Sequence, residues 1–140
     1  MKSSGAEPIE RLVLDTSAYS RLRAQHAATA DHVARAITVL LPVTVLGELE
    51  AAFRLGSRLD ENRVALKDFL SEEFVSVLDV TRGVALRYGE LHAGLRRAGS
   101  PVPSNDIWIA AATLDSGGHL LTFDADFARI HGLPHTLLIA

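Results

Sequence analysis

Short apolar runs alternate with helical patterns from one end of this chain to the other, and that alternation limits what it can fold into. Leu12-Val13-Leu14 and segments 38–43, 74–80, 119–122 and 136–139 read as strands. The first two are continuous in Val and Leu, as strands covered on both faces are, and 74–80 alternates apolar with polar. Between them, apolar residues recur at helical spacing. The pattern predicts helices over 17–25, 27–37, 44–56, 60–70, 81–98 and 105–116, and a short one over 124–130. Gly56, Gly99 and Gly117-Gly118 supply stops, and Ser104, after a loop holding Pro101 and Pro103, supplies a cap for the helix that follows. Strands separated by helices predict an α/β fold with a mostly parallel sheet covered on both faces.

At 140 residues the chain fits one domain, 11–140, after a polar leader, 1–10. It has no Cys, which excludes disulfides, thiolate zinc sites and cysteine nucleophiles and fits a reducing cytoplasm. No apolar run approaches the roughly 20 residues that span a bilayer, and the leader lacks an apolar signal core, so neither membrane insertion nor secretion is expected. The net charge of −3 excludes gripping nucleic acid by bulk positive charge. Any nucleic-acid role needs a local mechanism.

The acids offer one. In open parallel sheets, ligands bind outside the carboxyl ends of the strands. Asp15 ends the first strand, Glu48 lies on the helix after the second, Asp106 opens a helix after the Pro-rich loop, and Asp124 follows the strand ending at Thr122. All four can reach one sheet edge. Carboxylates gathered there repel one another unless a cation compensates them, and oxygen-only ligands favour Mg²⁺ or Mn²⁺. Such an ion can activate a water and polarise a phosphate. Taken singly, Asp15, Asp106 and Asp124 also suit helix caps or dipole partners, and Glu48 suits a solvated helix face beside Glu50. Asp126 reads equally as a ligand, a cap or a surface charge. The six His are dispersed, with no i,i+4 pair on any of the predicted helices, and Ser17 lacks a nucleophile-elbow context.

At these residues the sequence resembles the PIN-domain family, most closely the VapC-type toxins of toxin–antitoxin pairs. The resemblance rests on Leu12-Val13-Leu14-Asp15-Thr16-Ser17, on Pro42 followed by Leu46-Gly47-Glu48-Leu49, on 103–111 around Asn105-Asp106, and on 120–127 around Thr122-Phe123-Asp124-Ala125-Asp126. It implies a three-layer α/β/α sandwich and a Mg²⁺- or Mn²⁺-dependent endoribonuclease, cutting RNA and inhibited by a cognate antitoxin. It carries the catalytic acids onto Asp15, Glu48, Asp106 and Asp124, with Asp15, Asp106 and Asp124 as metal ligands and Glu48 orienting the attacking water. Asp126 is the alternative to Asp124, and Thr16 and Thr122 are accessory residues that orient carboxylates or waters. Relatives dimerise, which implies a homodimer with Leu22, Leu55 and Leu59 as interface candidates. Arg21, Arg23 and Arg54 are candidates for touching RNA or the antitoxin. A PIN nuclease of RNA processing without an antitoxin is the alternative. A Mg²⁺-binding receiver fits poorly, because Asp15 has no acidic neighbour and the only Lys are Lys2 and Lys67.

Overall fold

A computed structural model describes residues 7–140; residues 1–6 of the polar leader lie outside the described residues. Five strands, β1 (Arg11–Leu14), β2 (Thr38–Pro42), β3 (Val75–Leu78), β4 (His119–Thr122) and β5 (His135–Leu137), form one sheet in the order β3-β2-β1-β4-β5. Every pairing is parallel, with Val13 opposite Leu40 on one side and Leu120 on the other. The helices are α1 (Thr16–Arg23), α2 (Ala27–Arg35), α3 (Val43–Leu55), α4 (Leu59–Leu70), α5 (Arg82–Arg97) and α6 (Ser104–Ser116), and a 3₁₀ turn (Ala125–Arg129) follows β4. The α/β fold with a parallel sheet expected from the alternation is the one observed.

The continuous strands earn their apolarity. Leu12, Val13, Leu14, Val39, Leu41, Leu120 and Leu121 have no exposed surface, as expected of central parallel strands. On α6, Ile107 and 109–113 are buried, and Ala111 and Ala112 cluster with Val84 of the packed α5 while Ala110 joins the main core. The end of α6 depends on two glycines. Gly117 takes φ 69, the left-handed conformation that releases the helix, and a Cβ on Gly118 would sit 2.7 Å from Val13 Cγ2 in the middle of β1.

Two local expectations change. Ser104 does not cap α6: Pro103 holds that position and its carbonyl accepts from the Asp106 and Ile107 N–H groups, while Ser104 Oγ bonds Tyr88 Oη at 2.8 Å. The α4 stripe is shallower than its periodicity suggests, with Val64 exposed and Leu66, Phe69 and Leu70 only partly covered, because α4 lies against α3 and the edge strand β3. Of the interface candidates, Leu22 and Leu59 pack on the core, and Leu55 is 90% exposed.

The strand order fixes where ligands go. From β1 the chain steps to β2 and β3 on one side and later returns to β4 and β5 on the other. Between the carboxyl ends of β1 and β4 the direction of progress reverses, leaving a crevice. Asp15 and Thr122 stand at those two ends.

Candidate active site

Asp15 is the residue after β1 and the cap of α1. It is 3% exposed. Its Oδ1 accepts from Ala18 N–H at 2.8 Å and Ser17 Oγ at 2.7 Å, and its Oδ2 accepts from Thr122 Oγ1 at 2.5 Å. A carboxylate has about four lone-pair sites, so one on Oδ2 remains for a further partner. Burial pushes the Asp15 carboxyl above its ordinary value; the bonds from Thr122, Ala18 and Ser17 pull it back, and the nearby Asp124 adds to the rise. Thus the cap reading and the ligand reading of Asp15 describe the same residue.

Asp106, in the first turn of α6, and Asp124 and Asp126, at the start of the 3₁₀ turn, each offer one oxygen to a group whose members lie within 4.8 Å of one another. Asp124 N–H donates to Thr122 Oγ1 at 2.9 Å, and Asp124 Oδ1 accepts from Asp126 N–H at 2.9 Å. Thr122 therefore couples Asp15 to Asp124 through one hydroxyl. The Asp106 carboxyl is pushed up to about 7, first by burial, then by the charges of Asp124, Asp126, Glu48 and Asp15. A half-buried carboxyl raised by burial and by four neighbouring acids marks this crevice as a concentration of negative charge. Arg129 meets Asp126 Oδ1 at only 3.9 Å, with its own side chain half exposed.

Glu48 completes the ring. Its Oε1 accepts from Thr16 Oγ1 and its Oε2 from Asn105 Nδ2, both at 2.6 Å. Its neighbour Glu50 is turned to the surface instead, held by Arg54 at 2.7 Å and by Arg63, which drop its carboxyl to about 2. That arrangement also commits Arg54 to Glu50. The structure thus brings all of the expected acids to one crevice, with Asp106, Asp124 and Asp126 as the tightest group and Asp15 and Glu48 held beside it. Both accessory threonines bond carboxylates: Thr122 to Asp15, and Thr16 to Glu48. Asn105 and Ser17 are additions; the sequence signal for them is their place in the stretches that carry the resemblance, Asn105 next to Asp106 and Ser17 two residues after Asp15.

The donor set can be tested against a hard divalent ion. Oxygens that share a Mg²⁺ at about 2.0–2.1 Å lie at most about 4.2 Å apart, so a group spread over no more than 4.8 Å has the size that one ion and its waters span. Carboxylates with no thiolate or imidazole among them favour Mg²⁺ or Mn²⁺ over zinc. The residues fit. None of these acids lines the apolar cavity of about 340 Å³ between α5 and Arg129–His131, so the largely apolar hollow and the chemistry are separate.

Fold and site together define a class of protein: a parallel α/β domain with a carboxylate crevice at its switch point. The PIN domain profile matches residues 12–133, and the chain belongs to the PIN domain family. It is 30% identical over 110 residues to Ribonuclease VapC1 of Haemophilus influenzae (strain R2866), covering 72% of this chain and 80% of that one. In fold it is similar to VapBC2 from Rickettsia felis bound to a DNA fragment from its promoter (TM-score 0.81, 22% identity, 91% of this chain and 98% of that chain). It is likewise similar to VapBC-1 from nontypeable Haemophilus influenzae (TM-score 0.79, 23% identity, 91% and 97%). Among the described residues no helix is long and apolar enough to cross a membrane.

Proposed function

We propose that this protein is a metal-dependent endoribonuclease of the VapC type, the toxin of a toxin–antitoxin pair, working in the cytoplasm with residues 11–140 as its single domain. The observation that carries the reading is the convergence of Asp106, Asp124 and Asp126 within 4.8 Å at the β1/β4 switch point, beside a buried Asp15. Support for RNA as substrate comes from the relative named as a ribonuclease. Support for an antitoxin comes from the VapBC complexes that share the fold. A homodimer belongs to the same reading, with exposed Leu55 as its candidate contact.

Asp15, Asp106 and Asp124 would hold Mg²⁺ or Mn²⁺, with Asp126 sharing or replacing the part of Asp124. When bound, the ion supplies a Lewis acid for the phosphate and lowers the pKa of water. Asp15 reaches the crevice through the free lone pair of Oδ2, its orientation fixed by Thr122, Ser17 and the α1 backbone. Glu48 orients the attacking water; its two bonds from Thr16 and Asn105 hold the carboxylate still and leave lone pairs to accept the water's proton contact. Asp106 holds a proton near neutrality until positive charge enters the crevice. Asp15→Asn and Asp106→Asn should each abolish Mg²⁺- or Mn²⁺-dependent cleavage of RNA while leaving the circular dichroism spectrum unchanged. Retained cleavage in both would reject the assignment.

A further inference from the structure

An acidic crevice repels the polyanion it is proposed to cut, so an RNA strand needs a positive foothold close by. We propose that Arg21, held over Phe123 and flanked by His26, is that foothold: it binds the RNA backbone next to the phosphate being cleaved. This rests on the ribonuclease reading above.

Phe123 lies between Thr122 and Asp124, and its N–H donates to Ser17 Oγ at 3.0 Å, the same hydroxyl that donates to Asp15. Its ring is therefore tied to the acids by both chain and hydrogen bond. The Arg21 guanidinium carbon stands 5.1 Å from the centre of that ring, within cation–π range. The His26 ring meets Phe123 edge-on, with centroids 5.1 Å apart and planes at 85°. The turn between α1 and α2 builds this group. Gln25 takes φ 61, a left-handed conformation unusual outside glycine, and His26 N–H bonds the Arg21 carbonyl at 2.9 Å, folding the imidazole back beside α1. Thr29 engages His26 Nδ1, and among the described residues Nε2 has no hydrogen-bond partner.

The guanidinium itself is uncommitted. Among the described residues the Arg21 side chain enters no ion pair or hydrogen bond, whereas Arg54, Arg63, Arg87 and Arg129 are paired with acids. A planar cation on an aromatic face keeps its N–H fork free for two phosphate oxygens. Aromatic and guanidinium planes are also what single-stranded RNA bases stack upon. With a net charge of −3, the chain has no general positive field to do this work.

The test uses the full chain and a short fluorescein-labelled single-stranded oligoribonucleotide of mixed sequence. Binding is measured in the Asp106→Asn background, which keeps the probe uncut, between about 50 and 200 mM salt. Adding Arg21→Gln should weaken binding about tenfold and flatten the log–log salt dependence by about 0.7, one single-strand phosphate contact. Phe123→Leu, which keeps the charge, should weaken binding several-fold with the slope unchanged. In the otherwise intact protein Arg21→Gln should raise KM and leave kcat near its starting value. If the native chain cleaves RNA and Arg21→Gln leaves affinity, salt slope and KM as they were, this inference fails and the nuclease reading stands. An Arg21→Gln that alters only inhibition by the antitoxin assigns the group to the protein partner and equally overturns the inference. Absence of both binding and cleavage in the native chain with Mg²⁺ and Mn²⁺ takes down both.

Discussion

Asp106 links the chemistry of the crevice to stability, and the link has a predicted sign. Without a cation its carboxyl titrates at about 7, against an ordinary 3.8. Between those values the folded protein keeps a proton that the unfolded chain has released, so the contribution of Asp106 to stability is fullest below about pH 4, declines as pH rises, and levels off above about pH 7. A gap of about three pK units would carry about 4 kcal/mol if the group were fully sheltered; for a half-buried carboxyl, screening leaves about 1.5–2 kcal/mol. In a chain of this length that is about 5 °C in Tm. Thermal melts of chelator-treated protein should therefore show Asp106→Asn matching the native chain near pH 4 and exceeding it by about 5 °C at pH 8. Adding Mg²⁺ or Mn²⁺ at pH 8 should reverse the ranking, since a cation at a hundred times its Kd stabilises its binder by about 2.7 kcal/mol. Tm curves for the two proteins that run parallel from pH 4 to 8 without cation would refute the argument, because they would mean that neither burial nor the other acids raises the Asp106 carboxyl.

Further outcomes follow from single contacts. Thr122→Val removes a bond that lowers the Asp15 pKa and the acceptor of Asp124 N–H, so the acid limb of the pH–activity profile should move to higher pH, with about 1–3 kcal/mol lost in urea denaturation. Gly118→Ala forces a Cβ to 2.7 Å from a Val13 methyl in the core, and should cost about 1–3 kcal/mol by the same measurement. The Tyr19 hydroxyl is buried without a hydrogen-bond partner among the described residues, so Tyr19→Phe should be neutral or stabilising; a loss above about 1 kcal/mol would mean that the hydroxyl has one.

What could be read from the sequence follows the range of each interaction. Strands and helices are written in local periodicity, and 119–122 comes out residue for residue as β4, with other elements shifted by a residue or two at their ends. The acids were legible for a different reason: the switch-point rule turns a residue's place after a strand into a place in space. What stayed hidden depends on contacts between distant segments. Nothing local says that Asn105 will reach Glu48, or that Ser17 will join Asp15 to Phe123, since those bonds exist only after β1, β4, α3 and α6 have met. Ser104 failed as a cap for the same reason, its hydroxyl having been drawn to Tyr88 on another helix.

The double duty of Asp15 determines which substitution can separate chemistry from folding. Asp15→Ala would remove the α1 cap, worth about 1 kcal/mol, together with the acceptor for Thr122, so lost activity would say little. Asparagine caps helices as well as aspartate does, and its carbonyl can keep the bonds from Ala18 and Ser17 in place of Oδ1. Its amide would then face Thr122 Oγ1, which already accepts from Asp124 N–H but has a second lone pair with which to accept again. The hydroxyl proton must turn elsewhere, a small rearrangement next to the loss of one negative charge at the crevice. Asp15→Asn consequently preserves the cap and the strand-to-strand link while withdrawing the charge and the free Oδ2 lone pair, so loss of RNA cleavage in a chain that melts near the native temperature reports on the chemistry alone.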